Sequence, residues 1–309
     1  MRYTFKAFYV SIFLLMLSAC NNGNYQKGAS TEGVGEKEEK NRSLSEEFKE
    51  YWYSGKGEIT SYDLTQERYG ELRKGTAVTI FVTEDFLPDV QVKANSFSEN
   101  NISVLKLNRT KKFITGIYPY SIMSSVFNPI ETDGHSLKIS NSVQEWCGQV
   151  YMQLNNRIDF EISSHSYFAG EADENISLKK TWLEDEFWNL IRISPEELPT
   201  GEMSVIPSFE YLRLVHKKIK PYSAYINLKQ GDSLTMYTIH YKELSRELTL
   251  YFNSSFPYEI EKWEETNIEN PTDTLRLKTT AIKMKRIRLH YWQHNHTNDT
   301  IYRDSLMLK

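Results

Sequence analysis

"GTAVTIFVTEDF", residues Gly75–Phe86, alternates side chains with a period of two. Val78, Ile80 and Val82 fall on one face, and Thr79, Phe81 and Thr83 on the other. Alternation with β-branched and aromatic residues specifies a strand. The same texture recurs on both sides. "ISVLKLN" (102–108), "KFITGIY" (112–118), "YSIMSSVF" (120–127), "HSLKIS" (135–140) and "GQVYMQL" (148–154) follow at short intervals. "SLTMYTIHY" (233–241), "RELTLYFN" (246–253), "PYEIEKWEE" (257–265) and "LRLKTTAIKMKRIRLHYW" (275–292) close the chain. Tyr and Phe number 20 and 15, a content suited to half-buried strands.

Two helices interrupt the pattern. Ser43 with Glu46 fits a capping box before Leu44, Phe48, Tyr51 and Trp52. "TWLEDEFWNLIRIS" (181–194) carries Trp182, Leu183, Phe187, Leu190 and Ile191 at helical spacing. Glu184, Asp185 and Glu186 in its first turn and Arg192 in its last suit the helix dipole, and Pro195, Pro199 and Gly201 end it. The expected fold is mainly β (α+β): one large meandering antiparallel sheet, half-barrel-like in outline, with one or two packed helices. Two β-rich halves joined near residues 193–202 are the alternative.

The chain opens "MRYTFKAFYVSIFLLMLSAC". Arg2 and Lys6 precede an apolar run, Ala7–Leu17, that is shorter than the ~20 residues a spanning helix needs. "LSAC" resembles the lipobox of bacterial lipoproteins, which implies cleavage after residue 19 and acylation of Cys20. Several acyl chains anchor far more firmly than one. Residues 1–19 contain two basic and no acidic groups, so the remaining chain has 37 − 2 = 35 basic against 41 acidic residues, a net charge of −6. This balance excludes a nucleic-acid partner and a broad electrostatic grip on anionic lipid. "NNGNYQKGASTEGVGEKEEKNRS" (21–43) is too polar to fold and reads as a tether reaching roughly 25–30 Å, placing the body at 44–309. No acidic cluster follows Cys20; surface-exported lipoproteins of the Bacteroidetes tend to carry one there, so the resemblance implies a protein on the outer membrane that faces the periplasm.

After acylation of Cys20, Cys147 is the only thiol, and no intrachain disulfide can form. It lies in "VQEWCGQVYMQLNNRIDFEISSHSYF" (143–168) with His165. Read as a hairpin turning at Asn156–Ile158, this stretch pairs Trp146 with Phe168, Met152 with Ile162 and Leu154 with Phe160 on an apolar face. Gln149 then faces His165, Gln153 faces Glu161 and Cys147 faces Tyr167. Cys147 and His165 are diagonal, a loose arrangement for a thiolate–imidazolium pair, and Glu145 opposes thiol ionisation. The polar face of Glu145, Gln149, Gln153, Glu161 and Tyr167 is the alternative binding surface.

"LHYWQHNHTND" (289–299) holds His290, His294, His296 and Asp299, but neither helix nor strand spacing supplies three ligands, and no metal or other cofactor is expected. "KMKRIR" (283–288) reads as the solvated edge of a strand. Glycine-rich phosphate loops and a G-x-S-x-G elbow are absent. Asp-Ser/Thr-apolar triplets at Ser233, Thr274, Thr300 and Ser305 resemble the O-glycosylation motif of exported Bacteroidetes proteins; Asp and Ser/Thr also favour turns.

Several phrases, among them "EYWYSGKGEITSY", "LNRTKKFITGIYPYSIM", "SVQEWCGQVYMQLNNR", "SHSYFAGEAD" and "LPTG", are similar to a group of Bacteroidetes lipoproteins without an established function. Some members carry the label septum formation inhibitor Maf, yet the S-x-R-R motif of Maf pyrophosphatases is absent here. The resemblance implies an envelope protein. By fold analogy with periplasmic half-barrel carriers, its expected partner is a lipid or other hydrophobic ligand. The alternatives are a hydrolase or transferase using Cys147 and His165, or an envelope assembly partner.

Overall fold

The structure, a computed structural model, describes residues 40–267 and 277–308. Cys20 and Thr274 lie outside them. A short helix, α1 (Glu46–Trp52), begins at Ser45, whose hydroxyl accepts from Phe48 N at 3.1 Å. The cap is therefore Ser45, two residues beyond the expected Ser43.

Strands β1 (Gly57–Arg68) and β2 (Glu71–Leu87) form the first hairpin. Tyr69 and Gly70 turn it with φ of 57° and 70°, the signature of a type I′ turn. A two-residue β3 (Val92–Lys93) folds back on β2. The meander continues through β4 (Ile102–Thr115), β5 (Tyr118–Pro129), β6 (Lys138–Glu145), β7 (Gly148–Asn156), β8 (Phe160–Ser166) and β9 (Asp173–Leu178). Next come β10 (Trp182–Leu183), α2 (Glu184–Ile193), β11 (Gly201–Ile206) and α3 (Phe209–Leu214). The strands β12 (Tyr222–Lys229), β13 (Leu234–Tyr241), β14 (Arg246–Asn253), β15 (Ile260–Asn267) and β16 (Lys278–Leu289) complete the sheet, and α4 (Ile301–Ser305) ends the chain.

One sheet contains all sixteen strands. Its order is β10-β11-β12-β13-β14-β15-β16-β1-β2-β4-β5-β6-β7-β8-β9, with β3 off the path. Every neighbouring pair is antiparallel except β10 with β11. The last strand, β16, pairs with the first, β1, so these two strands lie side by side mid-sheet. Residues 193–202 run from the end of α2 to the start of β11, and strands β1–β9 and β11–β16 join in one sheet through the β16–β1 pairing.

Its two edges, β9 and β10, are separated in sequence by only Lys179–Thr181. Four Cα steps span at most about 14 Å. A sheet of this width must therefore curl until its edges nearly meet. The sheet stays open along the seam between β9 and β10, in keeping with the expected half-barrel-like outline.

The enclosed space is filled. All ten residues of α2 are buried, as are all six of α3. Trp188 of α2 meets Trp263 of β15 edge-on at 5.1 Å, and Phe187 meets Tyr237 of β13 at 5.5 Å. Asn189 donates to the Leu105 carbonyl of β4 at 2.6 Å. The helix thus touches strands on opposite arcs of the curl.

Several local expectations change. "KFITGIY" is not one strand, because Gly116 and Ile117 turn β4 into β5. In β2 the buried face is Ala77, Thr79 and Phe81, while Val78 and Ile80 are half-buried outside. The basic run at 283–288 lies in β16, an internal strand, and Lys283 and Arg286 pair with Glu259 of the adjacent β14–β15 turn. The β7–β8 register keeps the expected parity but slides by two. Leu154 faces Ile162 and Tyr151 faces His165, around a turn at Arg157–Asp159. Trp146 and Cys147 lie outside this pairing, in the two-residue turn between β6 and β7, and Trp146 is 68% exposed.

Candidate functional site

The sequence-derived pair does not assemble. Cys147 is exposed at its turn, and its backbone N–H donates to the Glu145 carboxylate at 2.6 Å. A side-chain hydrogen bond to Glu145, with Glu145's charge, pushes the thiol pKa up, away from a nucleophilic thiolate. His165 stands opposite Tyr151 and pairs with Asp173 at 3.4 Å. No hydrogen bond or ion pair joins it to Cys147.

The polar face disperses as well. Gln149 is exposed opposite Gln144. Gln153 accepts from the Tyr151 hydroxyl at 2.8 Å, and Glu161 pairs with Arg157 at 3.1 Å. These groups coat the outer face of the sheet. Glu145 instead turns inward, its side chain buried 3.9 Å from Arg213. Tyr167 belongs to the β8–β9 connection. Among the described glycosylation candidates, Ser233 is exposed in the β12–β13 turn, and Thr300 and Ser305 are exposed at the chain end. His294 bonds Asp299 at 3.3 Å, and no group of three metal-ligating side chains occurs among the described residues.

The chemistry of the molecule is concentrated inside the curl. Along β4 the inward positions are Leu105, Leu107, Arg109, Lys111 and Phe113. Two cations therefore interrupt an apolar face. Their partners come from the two internal helices. Lys111 Nζ lies 2.6 Å from Glu210 of α3, and Arg109 lies 3.3 Å from both Asp185 of α2 and Glu210. The Arg109 guanidinium stacks over Trp188 at 4.4 Å.

A second group centres on Arg246 of β14. It forms a two-pronged contact with Glu184, with one prong at 2.7 Å, and donates through Nε to Glu265 at 2.6 Å. Tyr241 donates to the same Glu184 at 2.8 Å, and the Tyr211 ring lies 4.0 Å beneath the guanidinium. A third group pairs Arg192 of α2 with Glu58 of β1 at 2.6 and 2.8 Å, between the rings of Phe81 and Trp52. Glu186 accepts from Ser136 N at 2.8 Å and Leu183 N at 3.0 Å and meets His135 Nδ1 at 2.8 Å.

Burial disfavours ionisation of Glu58, Glu184 and Glu210, but the guanidinium or ammonium against each outweighs it and holds the carboxyl below its usual range. Asp185 differs. Burial dominates there, the neighbouring Glu184 and Glu210 charges add to it, and Arg109 at 3.3 Å compensates only in part. Its pKa rises from 3.8 to about 6.

Arg109, Lys111, Glu184, Glu210, Arg246 and Glu265 border a small cleft of about 40 Å³ between the two helices and the sheet, enough for about one water molecule. The first-turn acids of α2 and the cations of β4 were both legible in the sequence. The missed signal was a strand whose apolar face carries two cations, alongside a helix that opens with three acids.

A different feature appears at one end of the curl. Alternate turns of a meander lie at the same end of a sheet. The β1–β2, β4–β5, β6–β7 and β8–β9 turns therefore form one rim. Each presents a large exposed side chain: Tyr69, Ile117, Trp146 and Tyr167. Trp146 stacks on Tyr118 at 6.3 Å, and the Tyr69 and Tyr120 hydroxyls are 2.8 Å apart. The opposite rim receives the chain from its N-terminal side. Lys40 exchanges hydrogen bonds with Asp133 in the β5–β6 connection, and Arg42 pairs with Glu197 at 2.7 Å.

No protein-family model, curated protein or solved structure matches the chain.

Proposed function

We propose that the protein is a lipid-anchored envelope protein that acts by binding a hydrophobic ligand rather than by catalysis. The observation that carries this reading is the rim formed by the β1–β2, β4–β5, β6–β7 and β8–β9 turns, which hold Tyr69, Ile117, Trp146 and Tyr167 in solvent. Large apolar groups gathered at one end of a polar body mark an interaction surface. The lipobox-like leader and the resemblance to envelope lipoproteins support attachment through Cys20 and an outer-membrane, periplasm-facing location. The interior of the curl, occupied by α2 and α3, argues for engagement at the rim rather than inside the sheet.

Native mass spectrometry of the acylated protein, purified from its host membrane, tests the reading. A lipid-sized adduct on the wild type, lost in the Trp146→Ala/Tyr167→Ala variant, is the expected result. A wild-type protein that carries no adduct overturns it.

A further inference from the structure

The rim opposite the hairpin tips also carries exposed apolar side chains. Phe97 and Ile158 are 83% and 85% exposed, and Val90 and Val92 are exposed beside them. They come from two adjacent connections, β2–β4 and β7–β8, that are tied together. Gln91 donates to the Asn156 carbonyl at 3.2 Å, and Arg157 donates to the Asp89 carbonyl at 3.1 Å. These side-chain bonds to main-chain carbonyls at the base of the surface fix where Val90 and Ile158 emerge.

The position of the chain decides what covers this surface. Residue 40 is fastened to this rim by the Lys40–Asp133 bonds and the Asn41–Thr132 bridge. Nineteen residues, 21–39, separate it from Cys20. As a random coil, the tether expected from the sequence would span roughly 22–26 Å. The far rim lies a full strand away: the 12 residues of β5 extend about 40 Å. A bilayer holding acylated Cys20 therefore meets the near rim first. Around the patch Arg157 pairs with Glu161 at 3.1 Å, Lys179 with Asp159 at 3.0 Å and Lys93 with Glu84 at 3.3 Å, while Asp89 and Glu99 stand exposed at its border. The surface thus offers apolar contact with a weakly acidic edge and no basic cluster to draw anionic lipid.

We infer that Val90, Val92, Phe97 and Ile158 form a membrane-docking surface that seats the body upright on its own anchoring bilayer. This rests on the anchoring reading above. Docked this way, the protein projects the Trp146 rim about a strand length, roughly 40 Å, from the membrane.

The full acylated chain in phosphatidylcholine vesicles tests the inference. Cys147, exposed at the distal rim, takes a polarity-sensitive fluorophore directly; the Cys147→Ser/Phe97→Cys variant moves the label to the near rim. The label at 97 is expected to shift blue on reconstitution and to be quenched by lipid-borne nitroxide at low and high salt. The label at 147 is expected to be quenched far less than the label at 97, since a ligand bound at its rim adds at most a single lipid and not a bilayer. Adding Val90→Glu and Ile158→Glu should abolish the shift at 97 while circular dichroism remains that of the wild type. A chain that bears acyl mass on Cys20 and floats with vesicles, yet keeps the label at 97 in water, overturns the docking surface and leaves the anchor standing. A chain without acyl mass that stays off vesicles overturns both.

Discussion

At the residue scale, Asp185 is the group whose titration the fold alters most usefully. Its carboxyl is buried between Arg109 and the Phe209 N–H, and its pKa is raised from 3.8 to about 6. A raised folded-state pKa means that the folded protein holds this proton more tightly than the unfolded chain. The stability it contributes is complete below about pH 4 and is lost as pH rises through about 6. Two pKa units correspond to about 3 kcal/mol as an upper bound. Asp185→Asn cannot titrate. Its stability relative to wild type should therefore increase between pH 4 and 6, by about 1–3 kcal/mol in urea denaturation, and then level off. A difference that stays flat over that window would contradict the assignment. Glu58 makes the contrasting case. Among the described residues it is the one carboxylate paired with Arg192, and both side chains are 1% exposed. Glu58→Ala strands a buried cation and should cost about 3–5 kcal/mol, whereas Glu46→Ala, at the exposed pair with Lys49, should cost under about 0.5 kcal/mol.

At the element scale, the stretch that reads as a strand also carries a packing constraint. Gly75 opens it, in register with Phe113 of β4. A Cβ there would stand 2.2 Å from the Lys112 carbonyl oxygen and 2.8 Å from Phe113 Cβ. One contact is backbone, so the strands would have to part. Gly75→Ala should destabilise the protein by about 1–3 kcal/mol. Gly148→Ala meets the exposed Tyr167 ring instead and should cost less, because that side chain can turn away. Paired thermal melts of the two variants compare them directly. The β7–β8 hairpin shows the limit of reading elements from pattern alone. Parity was legible, since a one-residue slip would have sent Met152 and Leu154 to solvent. A slide by two keeps every face and was decided by the turn at Arg157–Asp159. That slide, with the β6–β7 turn, removes Cys147 from any diagonal with His165.

At the scale of the whole molecule, α2 joins the arcs of the sheet. Arg192 binds β1, Asn189 binds β4, and Glu184 binds β13 and β14. The body is therefore expected to unfold in one transition, with far-ultraviolet circular dichroism and tryptophan fluorescence coinciding in urea. Two separated transitions would restore the picture of independent halves. Trp52, Trp188 and Trp263 are all buried in contact with this framework, which makes fluorescence a fair reporter.

Period-two alternation, aromatic content and turn residues fixed a mainly β meander with a helix near 184–193, because these signals are local. They also placed the acids and Arg192 on that helix. Which way those groups point was not local. β4 shows Arg109 and Lys111 in register with Leu105 and Leu107, but only a curled sheet gives them Asp185 and Glu210 to meet. In β2, the sequence presents two alternating faces of similar character, and the buried one contains Thr79. Burial there is set by what lies across the enclosed space. The tertiary structure decided the curl, through a three-residue link between opposite edges, and with it the filled interior and the two apolar rims. Such contacts join residues far apart in sequence, and no short-range pattern encodes them.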